Sequence, residues 1–444
     1  MFLPIGAILA FRRPSALFVT YLVVALSVFK NPAALPGIAM GGGERGNIFL
    51  QDILLVLLLI VCFFWSRIDR RRSWRSKTSV FLLVMLAWVS FSALYGLIVY
   101  KYEIFGTLNA LKLYIGYLIF FVPLTLVSSR EDLERLIKIF FYCSIIFSSA
   151  YVIFSLLGFE VLSKLTLLGV DRLFPISAWS EESPEIRLYM PATAFAIMMI
   201  IVASSLFLHG RFLVRWWTYG LVILINGLAI LITFTRGDWI STVLILMFLC
   251  LIAPRKHKPK MAILAIIGLV VLWFAIQLMG MLPIFHNVQA VSMIKNTFTG
   301  LFKAGVNDPN AQGRLLELEA ALALWRESPI IGLGMAASWN FGGITTLIGN
   351  HMNLGMLLPR LGLIGAGLYL LIIIRYINRL RAAFILTSDD LFLRGIVVGI
   401  GLSGCQIVVT GFLSSGGLFD YRSLLFFMGM GIVEAVCRLR QQLS

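Results

Sequence analysis

The chain has 444 residues, of which 60% are hydrophobic and 13% charged, and its 37 Lys and Arg against 21 Asp and Glu give a formal net charge of +16. With a mean hydropathy of +0.94, it carries more apolar surface than a water-soluble core can bury, so the composition excludes a soluble domain and makes a lipid bilayer its solvent. The expected fold class is all-α, a polytopic membrane bundle of about twelve transmembrane helices with a large loop on the side away from the cytoplasm.

Apolar runs of roughly 20 residues, enough to cross about 30 Å of hydrocarbon as helix, recur at 14–30, 47–65, 78–100, 108–127, 137–158, 189–208, 216–235, 238–253, 261–280, 354–374, 393–412 and 421–437. Arg12, Arg13 and Pro14 set the first apart from the apolar start, and no small-residue cleavage pattern follows it, so it counts as a span. The organisation is then residues 1–280 for spans one to nine, 281–353 for a large outer loop with an interfacial amphipathic helix, and 354–444 for spans ten to twelve.

Basic residues concentrate in alternate loops: 67–77, 130–138, 211–215, 254–260, 375–381 with Arg394, and 438–440. The positive-inside rule makes these cytoplasmic and places both termini inside. Together with Arg12 and Arg13 they hold 23 Lys and Arg, set against seven acids on the same side (Asp69, Glu131, Asp132, Glu134, Asp389, Asp390 and Glu434), an excess equal to the whole net charge of +16. The charge therefore records membrane orientation and not a nucleic-acid surface. Cys62, Cys143, Cys250, Cys405 and Cys437 fall within or at the inner ends of spans without metal-pair spacing, which argues against a disulfide framework and a zinc site.

Chemistry is expected in the two long outer loops, 159–188 and 281–353. The first carries Asp171, Arg172, Glu181, Glu182, Glu185 and Arg187 beside Trp179, a mix usual for a solvated surface. In ITFTRGDWI, Arg236 stands at the outer mouth between two spans, where it either snorkels to water or pairs with Asp238. GRLLELEAALALWRES (313–328) predicts a helix with Leu315, Leu318, Leu322 and Trp325 on one face, against lipid or the tops of the bundle, and Arg314 in its first turn. In the stretch after it, Gly332, Gly334, Gly342 and Gly343 permit close backbone approach. Trp339 and Phe341 offer flat faces to sugar rings, or serve only as interfacial aromatics.

His351 leads into the tenth span, with Gly355 and Gly362 on roughly its face. Pro359 is expected to kink or unwind this helix. Arg360 beside it sits at a depth where a charge is costly unless paired or hydrated, which suggests a water-lined cavity. His209, His257 and His286 have no assigned role.

TRGDW at a tight outer turn, a large outer loop containing GR and then GLG, and a histidine leading into GLIG together resemble the O-antigen ligase and polymerase superfamily, most strongly over residues 189–375. Met352 after the histidine and Arg360 two before the glycine are departures from that family's pattern. The resemblance implies a C-type glycosyltransferase fold in a bacterial inner membrane and a periplasmic active site. It implies transfer of glycan from an undecaprenyl-diphosphate donor to an acceptor hydroxyl, on lipid A core or on growing polysaccharide, with inversion and without metal, cofactor or nucleic acid. Arg236 and Arg314 match the arginines that hold the diphosphate, and His351 matches the histidine that serves the acceptor. Arg187, Arg360, Trp339, Gly334 and Gly362 are the further substrate-binding candidates. A small-solute or anion transporter is the competing class, although no repeat relates the first six spans to the last six, and a purely structural subunit is a third.

Overall fold

In hydrocarbon every backbone polar group must find a partner inside the protein, which favours helices along apolar runs. The computed structural model describes residues 14–26, 38–39, 47–48, 50–69, 74–165, 176–179, 185–188, 193–209, 213–232, 236–252, 259, 268, 309–341, 344–347, 353–413 and 421–443.

In chain order these form α1 (Pro14–Leu26), β1 (Ile38–Ala39), β2 (Asn47–Ile48), α2 (Leu50–Ile68), α3 (Lys77–Val99) and α4 (Ile104–Ile115). A 3-10 segment (Gly116–Phe120), α5 (Phe121–Leu126), α6 (Arg130–Leu165), β3 (Ile176–Trp179) and β4 (Glu185–Leu188) follow. Then come α7 (Thr193–Leu208), α8 (Trp216–Ile232), α9 (Arg236–Ile252), α10 (Pro309–Glu327), β5 (Ser338–Phe341), β6 (Ile344–Leu347), α11 (Asn353–Leu386), α12 (Leu391–Leu413) and α13 (Tyr421–Leu443). Helices make the bundle as expected. The strands pair only as three antiparallel hairpins in the connections.

Among the described residues, five helical stretches are long and apolar enough to cross a membrane: Lys77–Val99, Ile104–Leu126, Arg130–Ile153, Leu357–Leu386 and Leu391–Thr410. Thr193–Leu208, Trp216–Leu231 and Gly237–Ile252 are apolar but shorter. This is fewer than the spans read from hydropathy. The helix α13 has the length but includes Arg422, Glu434, Arg438 and Arg440, and the run at 261–280 lies outside the described residues except for position 268. The run at 108–127 is divided by the 3-10 segment.

The buried centre is α7, which packs against α8 and α12. Small residues let the α7 and α12 backbones come close: a Cβ on Gly399 would lie 2.8 Å from Val202 Cα. Between α6 and α8, Ser148 Oγ donates to Asn226 Oδ1 at 2.7 Å, and Asn226 Nδ2 donates to Ser144 Oγ at 3.2 Å and to Val222 O at 2.7 Å. At the periphery, Val80, Leu83, Phe91, Leu94 and Ile98 form an exposed stripe on α3 at helical spacing, as a lipid-facing surface requires.

Polar contacts gather at two ends of the bundle. At one, Arg379 grips Glu434 bidentately, with Nε to Oε2 and Nη2 to Oε1 both at 2.8 Å, and Thr78 Oγ1 donates to the same carboxylate at 3.0 Å. Arg130 bonds Asp390 at 2.8 Å. Arg440 bonds Asp389 and the Leu386 carbonyl, and Arg438 bonds the carbonyls of Leu124 and Val127. Asp390 Oδ1 accepts from Phe392 N and Leu393 N, capping α12. These are the ends that join the arginine-rich loops.

Candidate active site

The opposite end contains a broken helix. Within α11 the backbone leaves helical geometry at Gly362, with φ 63° and ψ −169°, a region open essentially to glycine alone. The break thus falls three residues beyond Pro359. Its freed backbone groups find partners on the segment after α10: Leu333 N donates to Pro359 O at 2.6 Å, and Gly334 N donates to Arg360 O at 3.3 Å. On the far side of the break, Leu363 N donates to Pro329 O at 2.9 Å and Ile364 N to Ile330 O at 3.3 Å. From α3, Trp88 Nε1 donates to Leu361 O at 3.0 Å and Ser92 Oγ to Arg360 O at 2.8 Å. Protein backbone, with Trp88 and Ser92, supplies the partners at the break.

Such proximity requires glycine on both partners. A Cβ on Gly332 would sit 2.6 Å from the Arg360 carbonyl, one on Gly334 2.6 Å from Gly96 Cα, and one on Gly362 2.2 Å from Ile330 O; all three have positive φ. The cradle continues into α10, where Leu324 packs with Leu333, Ala337, Tyr100 and Tyr102, and Ala321 is buried. Of the stripe expected at Leu315, Leu318, Leu322 and Trp325, the last three are half-buried beside Ala321 and Leu315's side chain lies outside what is described, while α10 packs on α11. Arg360 is only 3% exposed and has Tyr114 as an electrostatic neighbour.

A second polar junction lies at the start of α9. Arg422 Nη2 meets Asp238 Oδ2 at 3.1 Å, with the side chains 6% and 2% exposed. Trp239 Nε1 donates to Ile230 O at 2.9 Å, tying this first turn back to α8. Thr242 Oγ1 donates to Asp238 O at 2.6 Å, while Gln406 Nε2 on α12 donates to Ser241 Oγ at 3.0 Å. Asp238 therefore pairs across the bundle with α13, while the local pairing with Arg236 considered from the sequence involves a side chain outside what is described.

Of the candidate residues, Gly334, Arg360 and Gly362 come together at the break. Arg236 opens α9 and Arg314 lies in α10, with their side chains outside what is described, and His351 is itself outside the described residues, two positions before α11 begins. Arg187 stands in β4 opposite Ser177, and Trp339 in β5 opposite Thr346. Arg422, Ser92 and Gly96 were not singled out from the sequence. An apolar groove lined by Leu59, Phe63, Phe64, Trp74 and Phe121 lies by the other end of α3 and has no polar lining for this chemistry.

The O-antigen ligase family model matches residues 219–355. Over that stretch the chain is similar to the O-antigen ligase family, which supports the superfamily expected from the sequence. The match runs from α8 to the start of α11 and takes in Arg236, Asp238, Arg314, Gly334 and His351, whereas Arg360, Gly362 and Arg422 fall beyond it. A comparison with curated proteins finds no match.

Proposed function

We propose that the protein is an inverting, metal-independent glycosyltransferase that moves glycan from undecaprenyl diphosphate to an acceptor hydroxyl of lipid A core or of a growing polysaccharide. The reaction takes place at the periplasmic face of a bacterial inner membrane, with both termini in the cytoplasm. The supporting observation is that one matched stretch, 219–355, contains Arg236, Arg314 and His351. They stand on or beside three separate elements: the first residue of α9, the body of α10 and the approach to α11.

The chemistry suits those residue types. As the acceptor oxygen attacks the anomeric carbon, the bond to the diphosphate breaks and its electron pair leaves with the diphosphate. The guanidinium groups of Arg236 and Arg314 stabilise that developing charge. A neutral His351 imidazole takes the hydroxyl proton. In this reading Arg360, Gly334 and Gly362 keep the backbone beside the donor in place, Trp339 offers a face to sugar, and Arg187 belongs to the second outer loop. The divisions 1–280, 281–353 and 354–444 then separate membrane scaffold, periplasmic loop and closing helices in a C-type arrangement.

The test is to incubate purified protein with undecaprenyl-diphosphate glycan and candidate acceptors. Glycan-bearing lipid A core or longer lipid-linked chains are expected; an unchanged donor with every acceptor, alongside solute flux in proteoliposomes, would place the protein among transporters.

A further inference from the structure

The Asp238–Arg422 pair calls for an explanation that packing does not supply. Two charges at 2% and 6% exposure in an apolar bundle carry a desolvation cost, and well-packed apolar residues are often as stable at such positions or more so. Among the described residues Asp238 Oδ1 is also buried without a hydrogen-bond partner, so Arg422 engages only one of the two carboxylate oxygens. Polar pairs of this kind serve best where they fix one arrangement against alternatives.

What this pair fixes is the first turn of α9. Asp238 is two residues after Arg236 at the helix N-terminus, where a carboxylate also interacts favourably with the helix dipole. Trp239 holds the same turn to α8, and Ser241 holds it to α12 through Gln406. Arg422 brings in α13 from 184 residues away. Three neighbouring helices thus constrain the backbone from which Arg236 departs.

We propose that Arg422 is a positioning residue for the donor site: by pairing with Asp238 it sets the α9 turn that presents Arg236 to the lipid diphosphate. The inference rests on the proposed function, in which Arg236 contacts the donor. Arg422 itself touches no substrate in this scheme. A displaced turn then weakens donor binding selectively and leaves the acceptor side as it was.

The experiment uses the full-length protein in detergent and compares Arg422→Lys, Arg422→Met, and the apolar double variant Asp238→Leu with Arg422→Met. It measures binding of undecaprenyl diphosphate, KM for donor and acceptor, kcat and thermal melting. Arg422→Lys should keep donor affinity within a few-fold. The apolar double variant should stay folded with donor Kd and KM raised about tenfold or more and acceptor KM unchanged. A purely structural role would lower the folded fraction, and with it the rate, while leaving both KM values alone; that result, or wild-type donor affinity in the double variant, overturns the inference. If Arg422→Met does not fold, the double variant decides. Wild-type protein that neither binds the diphosphate nor transfers glycan overturns the proposed function and this inference together, whereas donor binding lost on Arg236→Ala but kept in the double variant removes the inference alone.

Discussion

Gly334 and Gly96 meet backbone to backbone: a Cβ on Gly334 would lie 2.6 Å from Gly96 Cα and 3.2 Å from the Ser92 carbonyl oxygen. Neither neighbour is the movable end of a side chain. Gly334→Ala and Gly362→Ala should each cost about 1–3 kcal/mol from positive φ alone, with the close contact adding to it. Lower melting temperatures in detergent would accompany loss of transfer. By contrast Gly367→Ala, where a Cβ meets nothing within 4 Å, should melt like wild type.

At the other end of the bundle, removing one partner of the Arg379–Glu434 pair leaves a largely buried charge. Glu434→Met should therefore lower stability by about 3 kcal/mol, and adding Arg379→Met should recover much of that. Thermal or denaturant unfolding of the single and double variants checks the sign of the coupling.

Asn226 makes two hydrogen bonds to α6 and a third within α8, and its side chain is fully buried. Asn226→Leu should destabilise by about 1–2 kcal/mol, and adding Ser148→Ala should cost less than it does in the wild type, because their shared bond is already gone. A double-mutant cycle measures the difference.

Arg236→Ala and Arg314→Ala should weaken undecaprenyl-diphosphate binding as well as turnover, whereas His351→Ala should abolish transfer and leave donor binding intact. Donor-binding and transfer assays on the same preparations separate the two. Near-normal transfer by His351→Ala contradicts its role as base.

Reporter fusions after residue 258 should give a cytoplasmic signal and fusions within 281–353 an outside one, because the basic loops set orientation. An outside signal after residue 258 contradicts the topology.

Helix placement was legible because each apolar run can satisfy its backbone locally, and the expected spans at 78–100 and 393–412 match α3 and α12 to within two residues. Long-range partners were not. Nothing near Asp238 in the sequence points to Arg422, since the pairing is made by helix packing over 184 residues. The break was expected at Pro359 and occurs at Gly362, because a proline inside a helix removes one donor but does not dictate where the chain turns. The Pro329–Gly334 segment decides that, by supplying partners on both sides. Gly332 and Gly334 carried a partial signal as sites of close approach, although their partners, Gly96 and the Arg360 carbonyl, lie elsewhere in the chain. The roles of Arg236, Arg314 and His351 rest on motif and family, not on side-chain geometry.

Because residues 329–334 hydrogen-bond to α11 on both sides of Gly362, the segment after α10 and the helix α11 form a single cooperative unit. A chimera that exchanges only the loop with that of a relative severs this unit, however well its membrane helices align. Exchanging 309–386 together with α3 keeps the hydrogen-bond donors and acceptors of the junction in one piece.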